Sequence, residues 1–208
     1  MTPVYHITHV ENLPRVAASG AIWCDRRVRE SAVATRSIAY GHIKARREGI
    51  VVPLPPGGTL ADYVPFYFCP RAPMLYAIYR GQVPGIEGGQ PRIVHMEFDA
   101  EALIAAGLRC LHTDGNAASQ PRRFFASAAG FHGLSWDVIR AGSWHDTPED
   151  NDRKRRKQAE FLVLDGVPWS FVRRIGVMDA AVAAIVHDML VGLAHRPVVD
   201  IRPDWYYP

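Results

Sequence analysis

The chain has 208 residues, 48% of them hydrophobic and 22% charged, with a formal net charge of +3. That suits one globular domain with a real core. No apolar run approaches the roughly 20 residues that cross a bilayer, no leader precedes the first strand-like segment, and Cys24, Cys69 and Cys110 form no Cys-x-x-Cys pair, so a disulfide framework and structural zinc are not expected and a cytoplasmic protein is.

Residues 4–10 alternate weakly and are rich in β-formers, which predicts a strand. Residues 12–19 read as a short helix closed by Gly20, and residues 21–23 as a second extended piece. Residues 25–35 carry charge without pattern and read as a loop. Residues 36–47 read as a helix ended by Gly49, with Arg36, Tyr40, Ile43 and Arg47 on one face. A turn-rich connector over 53–58 precedes an aromatic strand over 63–69 and, after Pro70, a helix over 72–80. Residues 81–90 read as a loop, 92–98 as a strand, 100–106 as a helical turn or two, and 108–112 as a strand. Residues 113–152 are the least regular, with helical stretches expected around Phe124 and over 136–139. An excursion this long that keeps Trp136 and Trp144 suggests a packed functional element. A strand follows from Glu160, another covers 172–178, Asp179 caps a helix to Leu193, and 198–201 form the last strand. The order implies one mixed α/β domain of α+β type with no doubly wound arrangement.

Positive charge is clustered: Arg26, Arg27, Arg29, Arg36, Lys44, Arg46 and Arg47, then Arg122 and Arg123, then the run 153–157. Such clusters fit a polyanion partner or a solvated basic surface. There is no G-x-G-x-x-G, G-x-x-x-x-G-K-[ST], H-E-x-x-H or G-x-S-x-G, which removes ATP, the common dinucleotide folds, zinc hydrolysis and serine hydrolysis as first choices. His6 and His9 would point to opposite faces of a strand, a poor metal pair.

Four features remain. His6 and Thr8 share a face of the first strand. Arg46 and Arg47 end a basic helix. An aromatic strand runs into a helix that carries Met74, Leu75 and Tyr76. Glu160 follows the long excursion, with Gln158 two residues before it, so that on a strand both would face one way. Each has a structural reading as well: a core histidine, a solvated basic face, core aromatics, an edge-strand carboxylate.

In order along the chain, the segments Tyr5-His6-Ile7-Thr8-His9, Arg36-Ser37-Ile38-Ala39-Tyr40, Ile43-Lys44-Ala45-Arg46-Arg47, Asp62 through Arg71, Pro73-Met74-Leu75-Tyr76, Lys157 through Val163 and Asp204-Trp205-Tyr206-Tyr207 resemble the DarT family, DNA ADP-ribosyltransferase toxins of DarTG toxin–antitoxin systems. The resemblance covers almost the whole chain. It implies an ADP-ribosyltransferase fold over 1–208, with two small mixed or antiparallel sheets forming an NAD-binding cleft between flanking helices. It implies transfer of ADP-ribose from NAD+ to N3 of a thymine in single-stranded DNA, without a metal, by a monomer opposed by a macrodomain antitoxin of DarG type. It makes Glu160 and Arg47 catalytic, and places His6, Ile7, Thr8, Arg36, Tyr40, Arg47, Tyr67 and Tyr76 around NAD+, with 31–49 as a covering element. It makes 113–160 the substrate-presenting loop. Arg46, Arg122, Arg123, Trp144, Arg153, Lys154, Arg155 and Gln158 are then expected along the DNA.

The chemistry asks for such residues. Cleavage of the glycosidic bond of NAD+ develops positive charge on the ribose, which a carboxylate at Glu160 would stabilise. A guanidinium stays protonated, so Arg47 is expected to bind the diphosphate and polarise thymine carbonyls, while Glu160 or water takes the N3 proton. Thymine N3 is hidden in a duplex, hence the single strand, and single strands favour basic grooves with aromatic platforms. A metal-independent ribonuclease using His6 or His9, and a non-catalytic single-strand-binding module, are the competing readings.

Overall fold

The computed structural model describes residues 1–31, 38, 41–86, 88–126 and 128–208, with Gly41 and His42 in their backbone only. Arg36 and Tyr40, both expected at the cofactor, and much of the element 31–49 lie outside the described residues.

Aromatic and β-branched residues favour the extended chain, and the first strand, β1 (Pro3–His9), pairs along its whole length with β4 (Ile93–Asp99). β4 pairs with β9 (Arg174–Val177), which runs parallel to the edge strand β10 (Val198–Ile201). On the other flank β3 (Tyr63–Tyr67) pairs with β7 (Glu160–Leu164), β7 with β5 (Cys110–Thr113), and β5 with β6 (Phe124–Phe125). The order β10-β9-β4-β1-β3-β7-β5-β6 makes one eight-stranded sheet.

Its two halves meet through one residue pair, Tyr5 opposite Tyr67. Beyond it β1 and β3 part. Pro65 has no N–H with which to continue the ladder, and His6 spans the gap with Nδ1 at 2.9 Å from the Pro65 carbonyl. The expected pair of small sheets is therefore two halves of one sheet, mixed on the β1 side and antiparallel on the β3 side, with a split between them. A separate two-stranded sheet joins β2 (Ala21–Trp23), the extended piece expected there, to β8 (Gly166–Pro168), a three-residue strand too short for its pattern to announce.

α1 (Leu13–Ala18), α2 (Asp25–Glu30) and α3 (Gly41–Glu48) follow β1 and β2. α2 overturns the loop expected over 25–35. It buries none of its residues, so it carries no apolar stripe to read. Its stabilisation is electrostatic: Asp25 stands in the first turn, Arg27 and Arg29 in the last, and Arg26 pairs with Glu30 at i,i+4. The remaining helices are α4 (Pro73–Tyr79), α5 (Ala100–Ala105), α6 (Trp136–Arg140), α7 (Arg153–Arg156) and α8 (Ala180–Leu190), the last capped as expected by Asp179, which accepts from Val182 N–H at 2.9 Å. The helical stretch expected around Phe124 is instead strand β6, because Phe124 and Phe125 lie opposite Thr113 and His112 and the Phe125 ring stacks on His112.

One face of the sheet is sealed by Phe66, Phe98 and Phe161 in edge-to-face contact. The C-terminal segment packs on the other face with Tyr5, Leu75 and Ile93. There Tyr206 O–H donates to the Ile93 carbonyl at 2.7 Å, and the Trp205 ring lies where a Cβ on Gly176 would overlap it. Among the described residues no helix is long and apolar enough to cross a membrane.

Candidate active site

A cleft of about 310 Å³ opens where β1 and β3 diverge, roofed by α1, β2 and α3. His6, Ile7 and Thr8 form one wall, Pro65, Tyr67 and Glu160 the other, and Ile43, Lys44 and Arg47 close it. Both described members of the helix face read from sequence, Ile43 and Arg47, thus reach it.

Glu160 is the first residue of β7, opposite Tyr67. It is 4% exposed, a costly place for a carboxylate without partners. Each oxygen has one: Oε2 accepts from Arg47 Nη1 at 2.9 Å, and Oε1 from Ala117 N–H at 3.0 Å. Its backbone N–H donates to Thr113 Oγ1 at 3.2 Å, whose hydroxyl donates to the Gly115 carbonyl at 2.6 Å. Strand β7 and the start of the excursion are thereby tied together.

Arg47 is 8% exposed and its Nη2 is buried with no hydrogen-bond partner among the described residues. A buried guanidinium donor left free at a cleft is a ready site for an anionic or carbonyl oxygen. His6 bonds a carbonyl through Nδ1, so that nitrogen carries the proton and Nε2 is the acceptor. Burial lowers the His6 pKa against a smaller opposing effect of that bond, which keeps the ring neutral. Burial, then the neighbouring Glu160 carboxylate, pushes the Tyr67 hydroxyl well above its ordinary range, so it remains a donor. Thr8 Oγ1 accepts from Asn12 Nδ2 at 3.0 Å. Lys44 pairs with Asp25 at 2.8 Å, and both line the cleft. The set offers a fixed carboxylate, a free cationic donor and neutral hydrogen-bonding groups in a largely apolar slot. Such a site can bind a polar ligand and stabilise positive charge developing beside Glu160. Among the described residues no group of three or more His, Cys, Asp or Glu is placed to hold a metal.

Tyr76 does not line the cleft. It packs edge-on against Trp144 and Tyr207 beneath Arg80, and Met74, two residues earlier, takes the cleft position. Of the residues expected along DNA, Arg46, Arg123 and Lys154 are exposed. Arg122 is half-buried and reaches the Ser119 carbonyl at 3.4 Å. Trp144 is buried, its Nε1–H donating to Tyr207 Oη at 3.2 Å, so its ring faces are covered. Arg153 donates to the Ser143 carbonyl at 3.2 Å. Arg155 is bonded to Asp114 at 3.0 Å and to Asp152 at 2.7 Å. Lys157, read as part of the basic run, is buried with Nζ on the Ile139 and Ala141 carbonyls at 2.6 and 2.9 Å, and burial lowers its pKa. Much of the run therefore staples the excursion to α7. Gln158 accepts from Asn116 Nδ2 at 2.7 Å.

Sequence reasoning did not single out Thr113 or Ala117, and it named Met74 only within the helix that follows the aromatic strand, with no role at the cofactor. Ala117 acts through its backbone, which no residue type announces. The one legible signal was Asn116, whose Oδ1 accepts from Ala118 N–H at 2.8 Å to make an Asx turn.

The family model described as "ssDNA thymidine ADP-ribosyltransferase, DarT" matches residues 5–207. A DNA ADP-ribosyl transferase of Thermus sp. (strain 2.9) is 44% identical over 99% of this chain and 96% of its own. Two structures of Thermus sp. 2.9 DarT are also similar. The complex with ADP-ribosylated single-stranded DNA superposes with a TM-score of 0.92 at 43% identity, covering 99% of this chain and 96% of that one. The complex with NAD+ superposes with a TM-score of 0.88 at 41% identity, covering 99% and 98%. A more distant relative, a DNA ADP-ribosyl transferase–DNA ADP-ribosyl glycohydrolase fusion protein of Thermosipho africanus, is 26% identical over 87% of this chain and 44% of the fusion.

Proposed function

This chain belongs to the DarT family of single-stranded DNA thymidine ADP-ribosyltransferases, and from that premise we propose that the cleft between β1 and β3 binds NAD+ and that Glu160 and Arg47 carry out transfer of its ADP-ribose to thymine N3. NAD+ is the co-substrate and nicotinamide is released. The observation that carries the residue assignment is the buried Glu160 carboxylate, held by Arg47 and the Ala117 N–H at the wall of the cleft.

NAD+ supplies an activated ribose whose leaving group departs neutral, so no residue has to protonate it. Glu160 holds negative charge beside the ribose, where positive charge builds as the bond to nicotinamide breaks. One group placed this way is worth about 10²–10³-fold. The free Nη2 of Arg47 binds a diphosphate or carbonyl oxygen, and its Nη1 holds the carboxylate in place. His6 Nε2 accepts and Tyr67 O–H donates, which suits the amide and hydroxyl groups of the nicotinamide riboside. The new bond joins ribose C1′ to thymine N3, and the N3 proton passes to Glu160 or water. Arg47 does not take it, since a guanidinium remains protonated.

The excursion over 113–160 presents the DNA, with Arg46, Arg123 and Lys154 as the exposed cations that meet phosphate and Arg122, half-buried on the Ser119 carbonyl, beside them. The acceptor is single-stranded DNA. A macrodomain antitoxin of DarG type is the partner that this reading names, and the fusion relative combines transferase and glycohydrolase in one chain. Three free cysteines fit a reducing compartment such as the cytoplasm, and the proposed state is a monomer. The test is mass measurement after incubation with NAD+ and a thymine-containing oligonucleotide. The expected result is a gain of one ADP-ribose that Glu160→Ala abolishes. RNA cleavage without NAD+, or binding without a covalent product, would favour the ribonuclease or the binding module.

A further inference from the structure

Asn116 stands in the first turn of the excursion and is bonded in three directions. Nδ2 donates to Gln158 Oε1 at 2.7 Å, Oδ1 accepts from Ala118 N–H at 2.8 Å, and the backbone N–H donates to the Arg155 carbonyl at 3.1 Å. Gln158 completes the pair by donating Nε2–H to the Lys154 carbonyl at 2.9 Å. Since Lys154 offers a carbonyl to Gln158 and Ala118 an N–H to Asn116, each amide can satisfy all its partners in one orientation alone. The Asx turn of Asn116 encloses Ala117, which is fully buried, and aims its N–H at Glu160 Oε1, 3.0 Å away.

We propose that Asn116 and Gln158 are a positioning pair for the catalytic carboxylate. The bond between them fixes the Asx turn, the turn fixes the Ala117 N–H, and that N–H sets the orientation of Glu160 against the pull of Arg47 on its other oxygen. Gln158 acts through Glu160 and does not read the DNA. The alternative, a direct contact of Gln158 with the acceptor strand, leaves its amide bonded to Asn116 and Lys154 with no purpose in catalysis. The inference rests on the role proposed for Glu160. Failure of that role would appear separately, as full turnover by Glu160→Ala.

The experiment compares steady-state kinetics of the whole chain with NAD+ and a thymine-containing oligonucleotide for Gln158→Met, Asn116→Ala and the double variant, with thermal unfolding as a check on folding. Gln158→Met keeps the length of the side chain and removes both bonds. If Asn116→Ala does not fold, Asn116→Ser replaces it, since a serine oxygen can still accept from Ala118 N–H. The expected result is a fall in kcat of about tenfold in each single variant, the scale of one lost hydrogen bond. The double variant falls no further than the worse single one, because both act through the same bond. KM for the oligonucleotide stays within about twofold. The proposal is overturned by an unchanged kcat, by a raised oligonucleotide KM with kcat intact, or by single effects that multiply to about a hundredfold.

Discussion

The ion pair between Arg47 and Glu160 makes a prediction that needs no substrate. The two side chains are 10% and 6% exposed, and the nitrogen–oxygen distance is 2.9 Å. Among the described residues, Arg47→Met leaves the carboxylate buried with only the Ala117 N–H as donor, and Glu160→Leu leaves both terminal nitrogens of the guanidinium buried without a partner. Removing one partner of a buried pair costs about 3–5 kcal/mol. For a chain of this length each kcal/mol lowers Tm by about 2–4 °C, so each single variant should lose roughly 6–20 °C. The double variant Arg47→Met/Glu160→Leu removes both charges and should recover most of that loss, giving a coupling energy of about 3 kcal/mol. All three variants should be inactive. Urea and thermal unfolding measure the cycle. Single losses under about 1 kcal/mol that simply add would mean a solvated pair and would refute the argument.

Phosphate contacts should separate from staples by their salt dependence. Lys154→Ala or Arg123→Ala should each reduce the slope of log affinity for single-stranded DNA against log salt by about 0.7, whereas Arg155→Ala should leave the slope unchanged and lower Tm, because its guanidinium is bound to Asp114 and Asp152. Acid should destabilise the fold through His95 and His112, both pushed down to about 4 by burial from an ordinary value of 6.5. Between those pH values the unfolded chain binds protons that the folded chain does not. Stability is therefore complete above about pH 6.5 and falls by on the order of 3 kcal/mol per histidine as pH drops toward 4. Urea unfolding across that range checks it, and a flat profile would contradict it.

The sequence exposed those parts of the site whose side chains carry both the chemistry and the pattern. His6 and Thr8 were legible because a β-rich strand fixes their face. Arg47 was legible through helical spacing with Ile43, and Glu160 through its place where a basic run turns apolar. Family resemblance then assigned their roles. What stayed hidden depends on tertiary pairing. α2 has no apolar stripe, so its charges looked like a loop. Phe124 and Phe125 become a strand because β5 is there to receive them. The run 153–157 looked like a DNA track, since sequence does not show that Asp114, Asp150 and Asp152 return to meet it. Trp144 looked like a stacking platform until Tyr207 and Tyr76 covered it. Gln158 changed most: its partner, Asn116, lies 42 residues earlier and meets it only because both ends of the excursion return to one place.

If Glu160 directs ADP-ribose to thymine N3, a strand whose thymine is blocked at that atom cannot accept it. Two oligonucleotides, identical except that one carries N3-methylthymine at its single thymine, would be incubated with NAD+ and the protein and their intact masses compared. A gain of one ADP-ribose is expected on the unmodified strand alone, and none with Glu160→Ala. Transfer to the methylated strand, or transfer that survives Glu160→Ala, would contradict it.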